Sequence, residues 1–213
     1  RAEMTDDLIT RLSADLKPVR PMAMQRLLLG ALLLSGVAAA IAMLMLLGMR
    51  PDMAAATTTM TYWTKFGYTL AFALLGLAAT LVLARPDGRT RWPWLLGFGL
   101  LDMLLVFAVL QLARADDMMP LIMGSSILRA LTYIPVFALP VLFGALLALR
   151  RMAPASPALA GFAAGIMAGG AGAWIYAFAC TEAGMMFLAL WYTLGIVIVG
   201  ALGAVLGRFL LRW

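Results

Sequence analysis

The sequence predicts an all-α integral membrane bundle of six transmembrane helices, N-in and C-in, preceded by a short cytoplasmic amphipathic helix. Three observations carry this. Of 213 residues, 64% are hydrophobic and only 12% charged, whereas a soluble domain keeps about a quarter of its residues charged. Six runs with at most one charge each reach or approach the roughly 20 residues needed to cross hydrocarbon. The Lys and Arg residues stand mostly at the ends of those runs and favour one side. Length alone would suggest one or two soluble domains, but the apolar runs overrule that prior. The runs are continuous rather than alternating, which argues against strands.

The organisation is a tail, residues 1–24, followed by the six-helix domain, residues 25–213. The chain opens on Arg1 rather than Met, so a native start upstream is expected. No cleavable signal peptide is expected, because the first apolar run is long enough to span and no small-residue cleavage site follows it. Within the tail, Thr5 is placed to cap a helix whose first turn carries Asp6 and Asp7, where negative charge complements the helix dipole. Leu8, Ile9, Leu12 and Leu16 recur on one face. Pro18 and Pro21 end the helix before the first span. Asp6, Asp7 and Asp15 against Arg11 make it acidic, whereas a membrane-surface helix is rich in Lys and Arg. Such a helix suits a groove on a basic partner; a frayed cytoplasmic tail is the alternative.

The spans follow in order. Residues 27–49 are uncharged between Arg26 and Arg50, and 66–84 between Lys65 and Arg85. Residues 92–112 are interrupted only by Asp102. Residues 130–149 follow Arg129 and contain Pro135 and Pro140. Residues 152–181 are uncharged, and their spanning part is expected to begin after Pro157. The last run, 183–207, ends at Arg208. With the N-terminus inside, the cytoplasmic side collects Arg1, Arg11, Lys17, Arg20, Arg26, Arg85, Arg89, Arg91, Arg150, Arg151, Arg208 and Arg212. The other side keeps Arg50, Lys65, Arg114 and Arg129. Twelve against four is a strong positive-inside bias. Trp92, Trp94 and Trp213 fall at the inner boundary, Tyr62 and Trp63 at the outer one.

The net charge of +6 comes from these boundary cations, so no direct nucleic-acid binding is inferred from it. A single Cys and no His exclude an intramolecular disulfide and a Cys/His zinc site within one chain. No cofactor is assigned. Gly161, Gly165 and Gly169 recur every four residues in the fifth run, with Gly172 further along, and Gly203 and Gly207 stand in the sixth. Small residues at that spacing let another helix approach closely. Packing within the bundle is the plain reading; a ligand groove or a homodimer face are the alternatives.

Asp102 stands near the middle of the third run. Ionised at that depth it would cost about 3 kcal/mol on insertion scales, so it is expected to face the bundle interior. There it would be a proton-sensitive switch, a transport site, or a carboxylic acid satisfied by a neighbouring hydroxyl or backbone group. Cys180 is followed by Glu182, Met185 and Met186, and Met118 and Met119 stand beside Asp116 and Asp117. Soft sulfur ligands suit Cu(I). Yet the chain holds 16 Met residues, whose commoner work is flexible packing, and no metal site is assigned.

The opening run Thr5, Asp6, Asp7, Leu8 and Ile9, with Ala14 through Val19, resembles the start of the NrsF-type family of bacterial membrane anti-sigma factors. So do Gly48 through Asp52 after the first span, and Ala153, Pro154 and Pro157 before the fifth. Tyr176 and Cys180, then Leu190, Trp191 and Tyr192, and the terminal Gly207, Arg208, Leu211, Arg212 and Trp213 resemble its end. The resemblance runs over essentially the whole chain. It implies an anti-sigma factor that sequesters an extracytoplasmic-function sigma factor at the inner membrane and releases it on a stress signal. The sigma-binding element would be Thr5, Asp6, Asp7, Leu8, Ile9, Leu12, Asp15 and Leu16, its acidic face complementing a basic sigma surface. The family is associated with a cysteine pair in metal or oxidant sensing. Cys180 matches the second, and the equivalent of the first falls near Ala130, so this chain lacks one of the two thiols. Cys180 and Asp102 are the signal-sensing candidates. A small transporter or channel using Asp102 as its ion or proton site is the alternative function. An enzyme is not expected, because no nucleophile–base pair can be assembled without His. The expected partners are a sigma factor and the lipid bilayer, with homo-oligomers left open.

Overall fold

The computed structural model describes residues 23–211. The helix expected over residues 5–16, together with Arg212 and Trp213, lies outside the described residues. The described helices are α1 (Ala23–Leu46), α2 (Met53–Ala56), α3 (Met60–Leu83), α4 (Trp92–Leu112), α5 (Met119–Met123), α6 (Ile127–Leu149), α7 (Pro157–Ala177) and α8 (Met185–Leu210). No strand occurs among the described residues. Six helical stretches, α1, α3, α4, α5 with α6, α7 and α8, are long and apolar enough to cross a membrane.

Local chemistry sets the boundaries. Thr59 caps α3, its hydroxyl accepting from the Tyr62 N–H at 3.4 Å. Ser156 caps α7 in the same way through the Leu159 N–H, with Pro157 next to it. Helix α3 therefore starts six residues before the apolar run that follows Lys65. Helix α6 continues through Pro135 and Pro140. The hydroxyls of buried Thr69 and Thr80 are satisfied by their own helix: Thr69 Oγ1 donates to Lys65 O at 2.9 Å and Thr80 Oγ1 to Gly76 O at 2.7 Å.

Helix α7 is the centre. Its membrane-length core is 72% buried, against 17% for α1 and 11% for α4. It packs on α3, α6 and α8 at once, while α1 leans on α6, and α4 on α3 and the start of α8. Composition explains this position, because Gly and Ala let three neighbours approach its backbone. A methyl group at Gly169 would lie 2.9 Å from Ile196 Cα, and one at Gly165 would lie 2.7 Å from Gly200 Cα. At Gly161 it would collide with the Gly203 carbonyl, and at Gly207 with that of Pro157. Gly170 opposes Ala73 N of α3 at 2.5 Å and Gly172 opposes Ala138 N of α6 at 2.7 Å by the same measure. Three sides of one helix thus carry backbone-to-backbone contact, the packing mode of apolar media.

Candidate functional site

The loops 47–59, 113–126 and 178–184 converge at one end of the bundle, and there the described polar chemistry concentrates. Helix α7 ends at Ala177, and its chain continues through Cys180 into α8. Carbonyls past a helix end need donors. Lys65, 3% exposed, donates its ammonium to Glu182 O at 2.7 Å and Cys180 O at 3.3 Å. Arg50 Nη1 donates to the same Cys180 carbonyl at 3.2 Å, and the Arg50 N–H to Phe178 O at 3.1 Å. Asp52 grips the Arg50 guanidinium in a two-pronged pair, Nε to Oδ1 at 2.8 Å and Nη2 to Oδ2 at 2.7 Å. That hydrogen bonding holds Asp52 below the usual carboxylate range and lifts Arg50 above its ordinary value.

The Glu182 side chain turns the other way. Its Oε1 accepts from Ser125 N–H, Ser125 Oγ and Ser126 Oγ, each at 2.8 Å. Partial burial pushes this carboxyl up, but those bonds and the Lys65 charge together outweigh it and leave the carboxyl below its ordinary value. The same contact demands a glycine at 124. Its φ of +55° is left-handed, and a methyl there would lie 2.7 Å from Glu182 Oε2. Gln111, from the end of α4, donates to Ala183 O at 3.3 Å and accepts from the Met185 N–H at 2.8 Å. Residues 180–185 therefore gather hydrogen bonds from the α1–α2 loop, α3, α4 and the α5–α6 turn.

A π turn at Leu188–Tyr192 follows within α8, and such turns re-aim the side chains they carry. Trp191 Nε1 donates to Ile122 O at 2.9 Å, tying α8 to α5. Tyr192 is fully buried in the same apolar cluster as Cys180, Tyr176 and Phe187. Its ring lies 5.8 Å from the Lys65 ammonium. Its hydroxyl is buried without a hydrogen-bond partner among the described residues. Beside Lys65, a polar cavity of about 220 Å³ is lined by Arg50, Asp52, Thr59, Thr181 and Glu182 among others.

Two expectations change. Lys65 is not a boundary cation but lies inside α3 on its buried face, with Tyr62, Phe66 and Thr69 at helical spacing. Extending that stripe backward from Phe66 would have found it. Asp102 does not face the interior; it is exposed. The buried side of α4 is narrow, holding Pro93, Leu104 and Ala108. At 3.6 residues per turn, Asp102 points about 200° away from Leu104. Cys180 is a buried free thiol, whereas Met118 and Met119 are exposed. Gly161, Gly165, Gly169, Gly203 and Gly207 lie in the α7–α8 seam.

Two relatives match along nearly the whole chain. A Caulobacter vibrioides protein named "Anti-sigma-F factor NrsF" is 40% identical over 213 residues, covering 98% of this chain and 99% of the relative. An Azospira oryzae protein named "Probable anti-sigma-F factor NrsF" is 37% identical over the same extent. No solved structure matches. Residues 12–213 match the NrsF family, described as "Negative regulator of sigma F". Matching that family over nearly all its length, and these relatives from end to end, the chain belongs to the NrsF family of negative regulators of a sigma factor.

Proposed function

We propose that this chain is an anti-sigma factor that sequesters an extracytoplasmic-function sigma factor at the bacterial inner membrane and releases it on a stress signal. The observation that carries this is the 40% identity, over 98% of the chain, to a protein named as an anti-sigma-F factor. The positive-inside bias supports a cytoplasmic location for both termini, where an acidic helix over residues 5–16 would meet the sigma factor. Leu8, Ile9, Leu12 and Leu16 fill its groove, while Asp6, Asp7 and Asp15 face its basic rim. The protein is a binding regulator rather than an enzyme.

The signal enters at the opposite, outer end, in residues 180–185 with Cys180. This segment joins α7 directly to α8, which touch along a glycine seam. A displacement there moves two stiff helices together and reaches the cytoplasmic end. A transport function loses its support, because Asp102 lies on the outside of α4.

The test is co-purification of the full chain with a sigma factor of its own genome from solubilised membranes. Deleting residues 5–16 is expected to abolish co-purification while the chain still reaches the membrane fraction. Undiminished co-purification would overturn the assignment of the tail, and no sigma factor bound by the intact chain would overturn the function.

A further inference from the structure

Asp102 is the eleventh of the 21 residues of α4, at the middle of a helix long enough to span the bilayer. It is exposed, and no hydrogen bond or ion pair reaches it from the described residues. A carboxyl group turned to hydrocarbon without a partner is costly, and such residues pair with polar groups on other helices.

Its surroundings form a helix-docking face. Leu95, Asp102 and Val109 are seven residues apart, with Phe98 and Val106 flanking them, and all five are exposed. A seven-residue repeat keeps one seam facing a parallel partner helix. Gly99 opens a notch in that seam, since a methyl group built on it would meet nothing within 4 Å. A second backbone can therefore approach beside the acid.

The partner must supply a polar group at mid-depth. The exposed Arg residues of the described chain, such as Arg85, Arg91, Arg114, Arg129, Arg150 and Arg208, stand in loops or at helix ends, too far along the normal to meet Asp102 head-to-tail. A second copy related by a two-fold axis along the membrane normal runs in the same direction and sets identical residues at identical depth. Its own Asp102 is then the one polar group guaranteed to be there, and two carboxyl groups hydrogen-bond one another.

We infer that this chain forms a homodimer through the exposed face of α4, with Asp102 hydrogen-bonded to Asp102 of the second copy across the Gly99 notch. Full-length chains carrying donor or acceptor fluorophores fused at the C-terminus, co-reconstituted at varied lipid dilution in phosphatidylethanolamine–phosphatidylglycerol vesicles, report association by energy transfer. The native chain is expected to associate with dimer stoichiometry. Asp102→Leu is expected to weaken association about tenfold, while Asp102→Asn, which still donates and accepts, holds within about threefold. Val109→Trp, which disturbs only the outer seam, is expected to weaken it as well, and Leu74→Trp, exposed on α3, is expected to leave it unchanged. A native chain that stays monomeric means that lipid or another protein covers α4 and overturns the inference. So does a dimer indifferent to both Asp102→Leu and Val109→Trp.

Discussion

Gly165→Ala adds one methyl group at a confined point of the α7–α8 seam, and its cost can be worked from the geometry. The new carbon would lie 2.7 Å from Gly200 Cα and closer still to the Val199 carbonyl oxygen. Ordinary contact to such a carbon is 3.4–4 Å, so the two helices must part by roughly 1 Å at that level. Both obstacles are backbone, so no rotamer change relieves them. Gly161 against Gly203, and Gly169 against Ile196, belong to the same pair of stiff rods and open with it. A radial gap of about 0.5–1 Å forfeits a quarter to a half of each dispersion contact, and overpacking alone costs about 1–3 kcal/mol. The expected destabilisation is about 2–4 kcal/mol. Gly67→Ala is the control, since nothing lies within 4 Å of that position; it is expected to be neutral or stabilising by up to about 1 kcal/mol. Unfolding by SDS in mixed micelles, followed by the fluorescence of the Trp residues, measures both. If Gly165→Ala unfolds at the same SDS fraction as Gly67→Ala, the seam is looser than described and the relay along α7 and α8 loses its basis.

Two predictions concern the 180–185 segment. Lys65→Met removes two bonds from a charged donor, about 1.5 kcal/mol or more each, offset in part by no longer burying a cation. A net loss of about 1–3 kcal/mol is expected, read as faster amide exchange across residues 178–185; unchanged exchange there would show that Lys65 does not pin the segment. Glu182 titrates below its ordinary value in the folded chain, so its stabilising contribution is full above its unfolded pKa of about 4.3 and is lost as pH falls through the folded value. The stability gap between the native chain and Glu182→Gln is therefore expected at neutral pH and should close on acidification below about pH 4. A gap independent of pH between 3 and 7 would refute the carboxylate's role in holding Ser125 and Ser126.

The number, order and approximate limits of the spans were legible because hydrocarbon thickness sets how many apolar residues a helix needs. Residues 92–112 form the expected helix to the residue. The glycine spacing likewise announced close helix contact, because small residues are what apolar packing requires. Tertiary structure alone decided that α7 is central and that α1 and α4 are peripheral. Lipid tails are as apolar as a protein core, so Leu and Val in a span carry no mark of which they face. The same ambiguity hid Lys65 and misplaced Asp102. A cation near a span end suits water at the boundary or carbonyls inside, and only the ends of α7 and the loop after it show that the carbonyls of Cys180 and Glu182 await it. An acid in a span was expected to turn inward, but α4 has almost no interior face to offer it. Composition determined that this chain is a bundle of membrane-length helices; the packing of small residues around α7 decided which side chains that bundle hides and which it presents.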